Sequence, residues 1–313
     1  MGEVHVVKPG LLTTVQDLGR WGFQAQGVSV AGPMDSYSHR LANALVGNPG
    51  PAATLEATIL GPEIEFDDGR MVAVTGGQFD VSVDGHAVAI GTAFAVNRGS
   101  RLNVGRRRSG TRAYIAVSGG VGVPQVLGSR ATHVLTRMGG LDGRPLKAGD
   151  QVPLGDVSYA SRPHAAVNEN MAFGEPARLR ILPGVHRDRF SDEAFRVLQD
   201  GRYRVSRDSD RVGFRLEGVP IPHARPTDMI SEATPMGTIQ VSGAGLPILL
   251  MADRQTTGGY PQIATVISAD LPIAGQLGPG DTLTFAACLP REAISALIAR
   301  ERSLLAVERP EVT

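Results

Sequence analysis

A mainly β protein with a few short helices is the fold class this sequence predicts, and three observations carry the prediction. The 313 residues include 39 glycines and 21 prolines, which punctuate short runs of alternating apolar and polar residues. That period is the mark of half-buried strands separated by turns. The second observation is a hairpin: FDVSV at 79–83 and HAVAI at 86–90 flank Asp84-Gly85, a pair that accepts the positive φ angles of a type I′ turn. The third is an internal echo. LKAGDQVPL (146–154) and LGPGDTLTF (277–285) each read as a Gly-Asp turn feeding an alternating strand. Two related β domains follow, 1–160 and 174–313, joined through a loop-like stretch at 155–174 that contains Pro163, Asn168 and Asn170.

Along the chain, alternation places further strands at 71–75, 112–118, 178–182, 202–206, 238–241, 248–252 and 282–286. Helices are read from their caps. Asp35 caps a helix through Val46, with Tyr37, Leu41, Ala44 and Leu45 on one face and Gly47 after its end. Ser191 caps a second through Gln199, with Phe190 and Phe195 at the positions of a hydrophobic staple and Gly201 beyond the end. Pro290 suits the first position of a third, which carries Ile294, Leu297 and Ile298 and belongs to the C-terminal domain.

Composition excludes several functions. Lys+Arg and Asp+Glu balance at 31 each, so the basic field that gathers nucleic acid is missing. One cysteine rules out an intrachain disulfide and any zinc site of several thiolates. The start has no basic segment leading into an apolar core, and the longest apolar run, 246–252, is too short to cross a bilayer. A cytoplasmic protein without a membrane segment is the expectation. Only Lys8 and Lys147 are lysines, and neither completes a P-loop, a Ser-x-x-Lys arrangement or the Met-Lys at which biotin is usually carried.

The chemistry-bearing motifs are few. The seven histidines show no metal-ligand spacing, so no metal site is expected, and Ala116 breaks a nucleophile elbow around Ser118. Cys288 reads as a buried structural thiol, Arg106-Arg107-Arg108 as a solvated turn with the alternative of an anion site, and Asp210-Arg211 as a structural ion-pair cluster. One segment does not fit a core. ADRQTTGGYP (252–261) follows an apolar strand and presents Arg254, Gln255, Thr256, Thr257, Gly258, Gly259 and Tyr260. Arg254 offers a fork for carboxylate or phosphate, the threonines offer hydroxyls, and the glycines admit a ligand to backbone N–H groups. A plain wide turn is the competing reading. A second polar cluster, TTVQDLGRWG (13–22), holds Asp17 and Arg20, close enough on one turn to pair with each other.

Six blocks carry a resemblance to a known family: PGLLTTVQDLGRWGFQAQGV (9–28), GPMDSYSHRLANALVGN (32–48), LEATILGPEIEF (55–66), RAYIAVSGGVGVPQVLGSRATH (112–133), SDRVGFRLEG (209–218) and GTIQVSGAGLPILLMADRQTTGGYPQIATVISADL (237–271). In this order they resemble the allophanate hydrolase subunit 2 family, also described as biotin-dependent carboxyltransferase-like. That family includes the C-type component of bacterial 5-oxoprolinases and an antagonist of a sporulation-kinase inhibitor. The resemblance implies two cyclophilin-like β-barrel domains and a partner of the subunit 1 (B-type) kind, with a third, A-type component in the 5-oxoprolinases. It implies ATP-dependent opening of the lactam 5-oxoproline to glutamate, with ATP and magnesium held by this chain or by the partner. The alternatives it carries are a biotin-dependent carboxyltransferase acting on an amide such as urea, and a regulatory protein that binds the kinase inhibitor. Within it, Arg254, Asp253 and Asp17 are the candidate catalytic residues, the two aspartates orienting substrate or holding magnesium. Gln255, Thr256, Thr257, Gly258, Gly259, Tyr260 and Arg20 are the candidate binding residues. The block SEATPMGTIQVSGAG (231–245) departs from the usual family pattern. An amidase-type Ser–Ser–Lys apparatus conflicts with the two lysines.

Overall fold

The computed structural model describes residues 2–157, 176–227 and 229–308, and strand at 37% outweighs helix at 18%. The chain divides into two compact units. Residues 2–20, 31–157 and 301–308 belong to the first, and residues 21–30, 176–227 and 229–300 to the second. The units are therefore not two continuous stretches, since 21–30 and 301–308 each count with the unit distant in sequence. Most of the expected linker, and the boundary within it, lie outside the described residues.

The first unit is built on nine strands: β1 (Glu3–Lys8), β2 (Leu12–Gln16), β3 (Thr54–Thr58), β4 (Glu63–Phe66), β5 (Arg70–Val83), β6 (His86–Ala87), β7 (Ala93–Val96), β8 (Arg101–Val117) and β9 (Gln151–Pro153). Six run in the order β2-β3-β8-β4-β1-β9, while β5 pairs with β6, β7 and β8. No pairing among the described residues closes this sheet. Alternation buries Val4, Val6, Leu55, Ile64, Phe66, Val72, Val74, Ile115 and Val117 on one face. The expected hairpin is present: Asp84 and Gly85 have φ of 51° and 83°, and Val83 pairs with His86. Arg106-Arg107-Arg108, read as a turn, instead continues β8 where three register shifts bend the β5–β8 pair. Residues 118–150 form no helix or extended strand. Their backbone covers β2, with Thr132 N–H donating to Val15 O at 2.9 Å and Leu146 N–H to Thr13 O at 2.9 Å.

Helix α1 (Ser36–Leu45) lies across the other face of this sheet. The Asp35 side chain accepts from Ser38 N–H at 2.9 Å, and Gly47 after the end has φ 74°. Tyr37, Leu41, Leu45 and Val46 pack with Ala73, Tyr114 and Ala116, and with Leu304 and Val307 from the chain's last helix.

The second unit holds β10 (Ala177–Pro183), α2 (Asp192–Asp200), β11 (Tyr203–Val205), β12 (Gly213–Glu217), β13 (Glu232–Ala233), β14 (Thr238–Val241), β15 (Pro247–Leu250), β16 (Thr257–Gly258), β17 (Gln262–Val266), α3 (Leu271–Gly275) and β18 (Thr282–Ala287). Seven strands form a closed barrel, β10-β17-β14-β15-β12-β11-β18, sealed by the parallel pair β10–β18. Ser191 caps α2 as expected, accepting from Ala194 N–H at 3.1 Å. Gly201 follows with φ −71°, so it ends the helix without a left-handed turn. Helix α4 (Pro290–Glu308) starts at Pro290. Its residues 301–308 belong to the first unit, and Ile294, Leu297 and Ile298, the apolar positions that marked it, are exposed. Cys288 is half-buried, not buried, and partial desolvation pushes its thiol pKa up. No helix is long and apolar enough to cross a membrane among the described residues.

The Gly-Asp echo proves to be a structural repeat. Gly149 and Gly280 have φ of 87° and 93°. Asp150 and Asp281 accept from Lys147 N–H at 2.7 Å and Gly278 N–H at 2.8 Å, three residues back. In each unit the turn then bonds reciprocally to one strand residue. Gly149 N–H donates to Val6 O, and Val6 N–H to Asp150 O, both at 2.8 Å. Gly280 N–H donates to Val205 O, and Val205 N–H to Asp281 O, both at 2.9 Å.

Candidate functional site

The ADRQTTGGYP loop owes its length to topology. Strands β15 and β17 both pair antiparallel with β14, so they run parallel to each other. Residues 251–261 must therefore travel back along β14, and a crossover of this kind cannot be a tight turn. Gln240 of β14 lies beneath it, donating from Nε2 to Tyr260 O at 3.3 Å. A Cβ at Gly258 would meet that Nε2 at 2.6 Å, so close packing explains this glycine. The crossover forms a two-stranded ribbon of its own, β13 with β16, in which Glu232 faces Gly258 and Ala233 faces Thr257.

Thr234, next to the ribbon, holds the loop by three bonds. Its N–H donates to Thr256 O at 3.1 Å, its hydroxyl to Gln255 O at 2.6 Å, and its own carbonyl accepts Arg254 Nε at 2.7 Å. Arg254 Nη1 reaches Met251 O at 3.3 Å, and Ser29 Oγ donates to Arg254 O at 3.0 Å. The guanidinium is thus fixed by neutral carbonyls through Nε and Nη1, and Nη2 makes no hydrogen bond among the described residues. Burial lowers the Arg254 pKa, and only the nearby Asp253 charge opposes this. Gln255, Thr257 and Tyr260 are exposed, Thr256, Gly258 and Gly259 half-buried. A partly dehydrated guanidinium can receive a carboxylate or phosphate.

The two aspartates have other work. Asp253 forms a buried bidentate pair with Arg211, Oδ2 to Nε at 2.9 Å and Oδ1 to Nη2 at 3.0 Å. Asp17 accepts from Gly19 N–H, Ser129 Oγ and Arg130 N–H. Both are buried. Neither presents the open carboxylate that magnesium, which keeps most of its waters, requires. The residues present do not fit a magnesium site on Asp253 or Asp17. Arg20, also buried, donates from Nη2 to Ala131 O and so ties residues 13–20 to 129–133 in the first unit. Asp17 and Arg20 thus belong to the first unit and the Arg254 loop to the second.

Several residues of these networks had not been singled out in the sequence. Gln262 N–H donates to His186 Nδ1 at 3.1 Å, so the neutral ring carries its proton on Nε2, 3.3 Å from Glu232 Oε2. Gln262 Nε2 in turn holds Ala233 O at 3.1 Å. In the first unit Thr14, Glu56, Tyr114 and Thr75 lie opposite one another across β2, β3, β8 and β5. Tyr114 OH donates to Glu56 Oε2 at 2.7 Å, and these two accept from Asp35 N–H and Met34 N–H. Burial and the Glu56 charge raise the Tyr114 pKa well above its usual value. This row anchors the start of α1. The available signal was one polar residue amid apolar strand neighbours, as in TIQV, LEATIL and RAYIAV. Half-buried in the first unit, Glu3, His5 and Asp67 bring one ligand atom each within 4.8 Å of one another, with Asp67 Oδ1 accepting Glu3 N–H at 2.7 Å.

A closed seven-stranded barrel, a nine-stranded sheet and an arginine-bearing crossover define an architecture of the carboxyltransferase-domain class. The chain belongs to the family described as carboxyltransferase domain, subdomain A and B, whose model matches residues 26–287. It is 36% identical over 293 residues to the C-type component of the 5-oxoprolinase of Escherichia coli, covering 94% of each chain. It is 34% identical over 304 residues to the urea amidolyase of Lachancea kluyveri, covering 90% of this chain and 17% of that one. The crystal structure of the K. lactis urea amidolyase superposes with a TM-score of 0.91 at 31% identity, covering 98% of this chain and 20% of that one.

Proposed function

We propose that this chain is a cytoplasmic subunit of an ATP-dependent 5-oxoprolinase, inactive alone and working with a subunit 1 (B-type) partner and a third, A-type component. The observation that carries the reading is the reciprocal match: 94% of this chain corresponds to 94% of a free-standing 5-oxoprolinase subunit. A lactam carbonyl is unreactive because the nitrogen lone pair is delocalised into it, and phosphate transfer from ATP supplies the activation. This chain's contribution is a rigid donor set. Arg254 Nη2, with the Thr256 and Thr257 hydroxyls, receives an anionic oxygen of the substrate or of the activating phosphate. Asp253 acts on this site only by holding its own loop through Arg211, and Asp17 holds the 129–130 segment of the first unit.

The test is phosphate release by the co-expressed complex on addition of 5-oxoproline, with urea as the comparison. Release that depends on 5-oxoproline supports the reading. In that complex Arg254→Ala is expected to lower kcat by about a hundredfold or more, the scale for loss of one charge-stabilising donor, while the subunits still co-purify. Full turnover in the variant removes Arg254 from the reaction.

The family model and the fold likeness to a urea amidolyase favour a second reading, a biotin-dependent carboxyltransferase subunit that accepts an amide. Turnover with urea in the presence of a biotin carrier would select it. A subunit pair that co-purifies but releases phosphate with neither compound would instead make this a regulatory binding protein.

A further inference from the structure

The Arg106-Arg107-Arg108 run has no part in the function proposed above, and it lies beside an open cleft with exposed leucines. On the same strand Arg101 pairs with Glu65 and Arg108 with Asp80. Arg106 is exposed, and its guanidinium has no hydrogen-bond or ion-pair partner among the described residues. Directly opposite stands Leu60, in an antiparallel bridge that puts both side chains on one face. Leu60 is held outward by strained backbone. Ile59 has φ +67°, a state that Cβ-branched residues rarely adopt, and Leu60 N–H closes a three-residue turn onto Thr58 O at 2.8 Å. Leu11 N–H bonds to Leu60 O at 2.9 Å, and the two leucine side chains are 64% and 41% exposed. Arg107 completes the wall, its Nη1 held by Thr111 Oγ1 at 3.0 Å and Gly110 O at 3.3 Å. These residues line an open surface cleft of about 370 Å³.

We propose that the cleft lined by Leu11, Ile59, Leu60, Arg106 and Arg107 binds a small aliphatic carboxylate, its tail on the leucines and its carboxylate on Arg106. Two exposed apolar side chains fixed next to a cation without a carboxylate partner match a ligand that carries the same two features in the same order. The volume is that of a small-molecule site, so the occupant is a short-chain acid. Placed in the first unit, this site is independent of the Arg254 loop and of the function proposed for it.

Calorimetric titration of the full chain tests this with three probes: hexanoate, its neutral isostere hexanamide, and acetate, which lacks the tail. Hexanoate is expected to bind at least about tenfold more tightly than either of the others. Arg106→Gln is expected to weaken hexanoate about tenfold and abolish its advantage over hexanamide. Leu60→Ser is expected to weaken hexanoate while the carboxylate preference survives. Arg108→Gln, which removes an arginine already paired with Asp80, is expected to change nothing. No binding of hexanoate, or equal binding by wild type and Arg106→Gln, overturns the proposal. So does loss of binding in Arg254→Ala with retention in Arg106→Gln, which would place the carboxylate on the other loop.

Discussion

Arg211 and Asp253 are 8% and 7% exposed, and the pair keeps two charges in a buried place. Asp253→Asn removes the carboxylate that Arg211 Nε and Nη2 both reach, and a loss of about 1.5–3 kcal/mol is expected in urea denaturation. Replacing both by apolar residues of similar volume is expected to recover most of it, which separates a structural anchor from a catalytic acid. The sequence showed that a polar arginine and a polar aspartate were present but not that they meet. They are joined by the β12–β15 register, in which Gly213 faces Leu250, and by the Asp253 N–H donating to Arg211 O at 2.8 Å beyond the strand ends. Arg254 was legible for a different reason: six polar or glycine residues in succession after an apolar strand cannot fill a core. What holds Arg254, chiefly Thr234, was not legible, because it comes from the 231–245 block 20 residues upstream.

At the scale of elements, local chemistry was the readable part. The caps of α1 and α2, the Asp84-Gly85 turn and the paired Gly-Asp turns are each decided within a few residues. One of the paired turns carries a pair that can be measured. Asp150 satisfies Lys147 N–H and also receives Arg144 at 2.7 and 2.9 Å. Asp150→Ala is expected to cost about 1.5–3 kcal/mol in denaturant unfolding, and less when made in an Arg144→Gln background. Equal effects would mean that the Arg144 pair adds nothing. The misread element, 106–108, failed for a physical reason. Three like charges beside Gly105 and Ser109-Gly110 look like a turn, but the pairing of Gln78 with Ser109 and Phe79 with Arg107 carries the strand through them with bulges. The crossover at 251–261 was equally hidden, since strand order is a property of the whole barrel.

For the molecule as a whole, acid is the informative perturbation. His39 is fully buried in the first unit, and desolvation lowers its pKa from 6.5 to about 4, with the Asp17 and Glu56 charges only partly opposing this. The native state holds the ring neutral while the unfolded chain protonates it near pH 6.5. Stability from this group is therefore complete above that pH and lost as pH falls toward 4, by about 3 kcal/mol in all. Urea unfolding at about pH 7 and about pH 4.5 should show the loss, and His39→Gln should flatten the dependence. An unchanged slope in the variant would assign acid sensitivity to the carboxylates instead. The two units also differ in how they deny a template to neighbouring chains. A closed barrel has no outer strand to protect. The nine-stranded sheet does have outer strands, and on one of them, β2, carbonyls of Thr13 and Val15 are masked by the backbone of Thr132 and Leu146 from a stretch with no regular structure of its own. Damage to residues 118–150 would thus do more than loosen a loop. It would uncover a strand margin to which a second molecule can add, so that the first symptom of injury there is aggregation of a still largely folded protein.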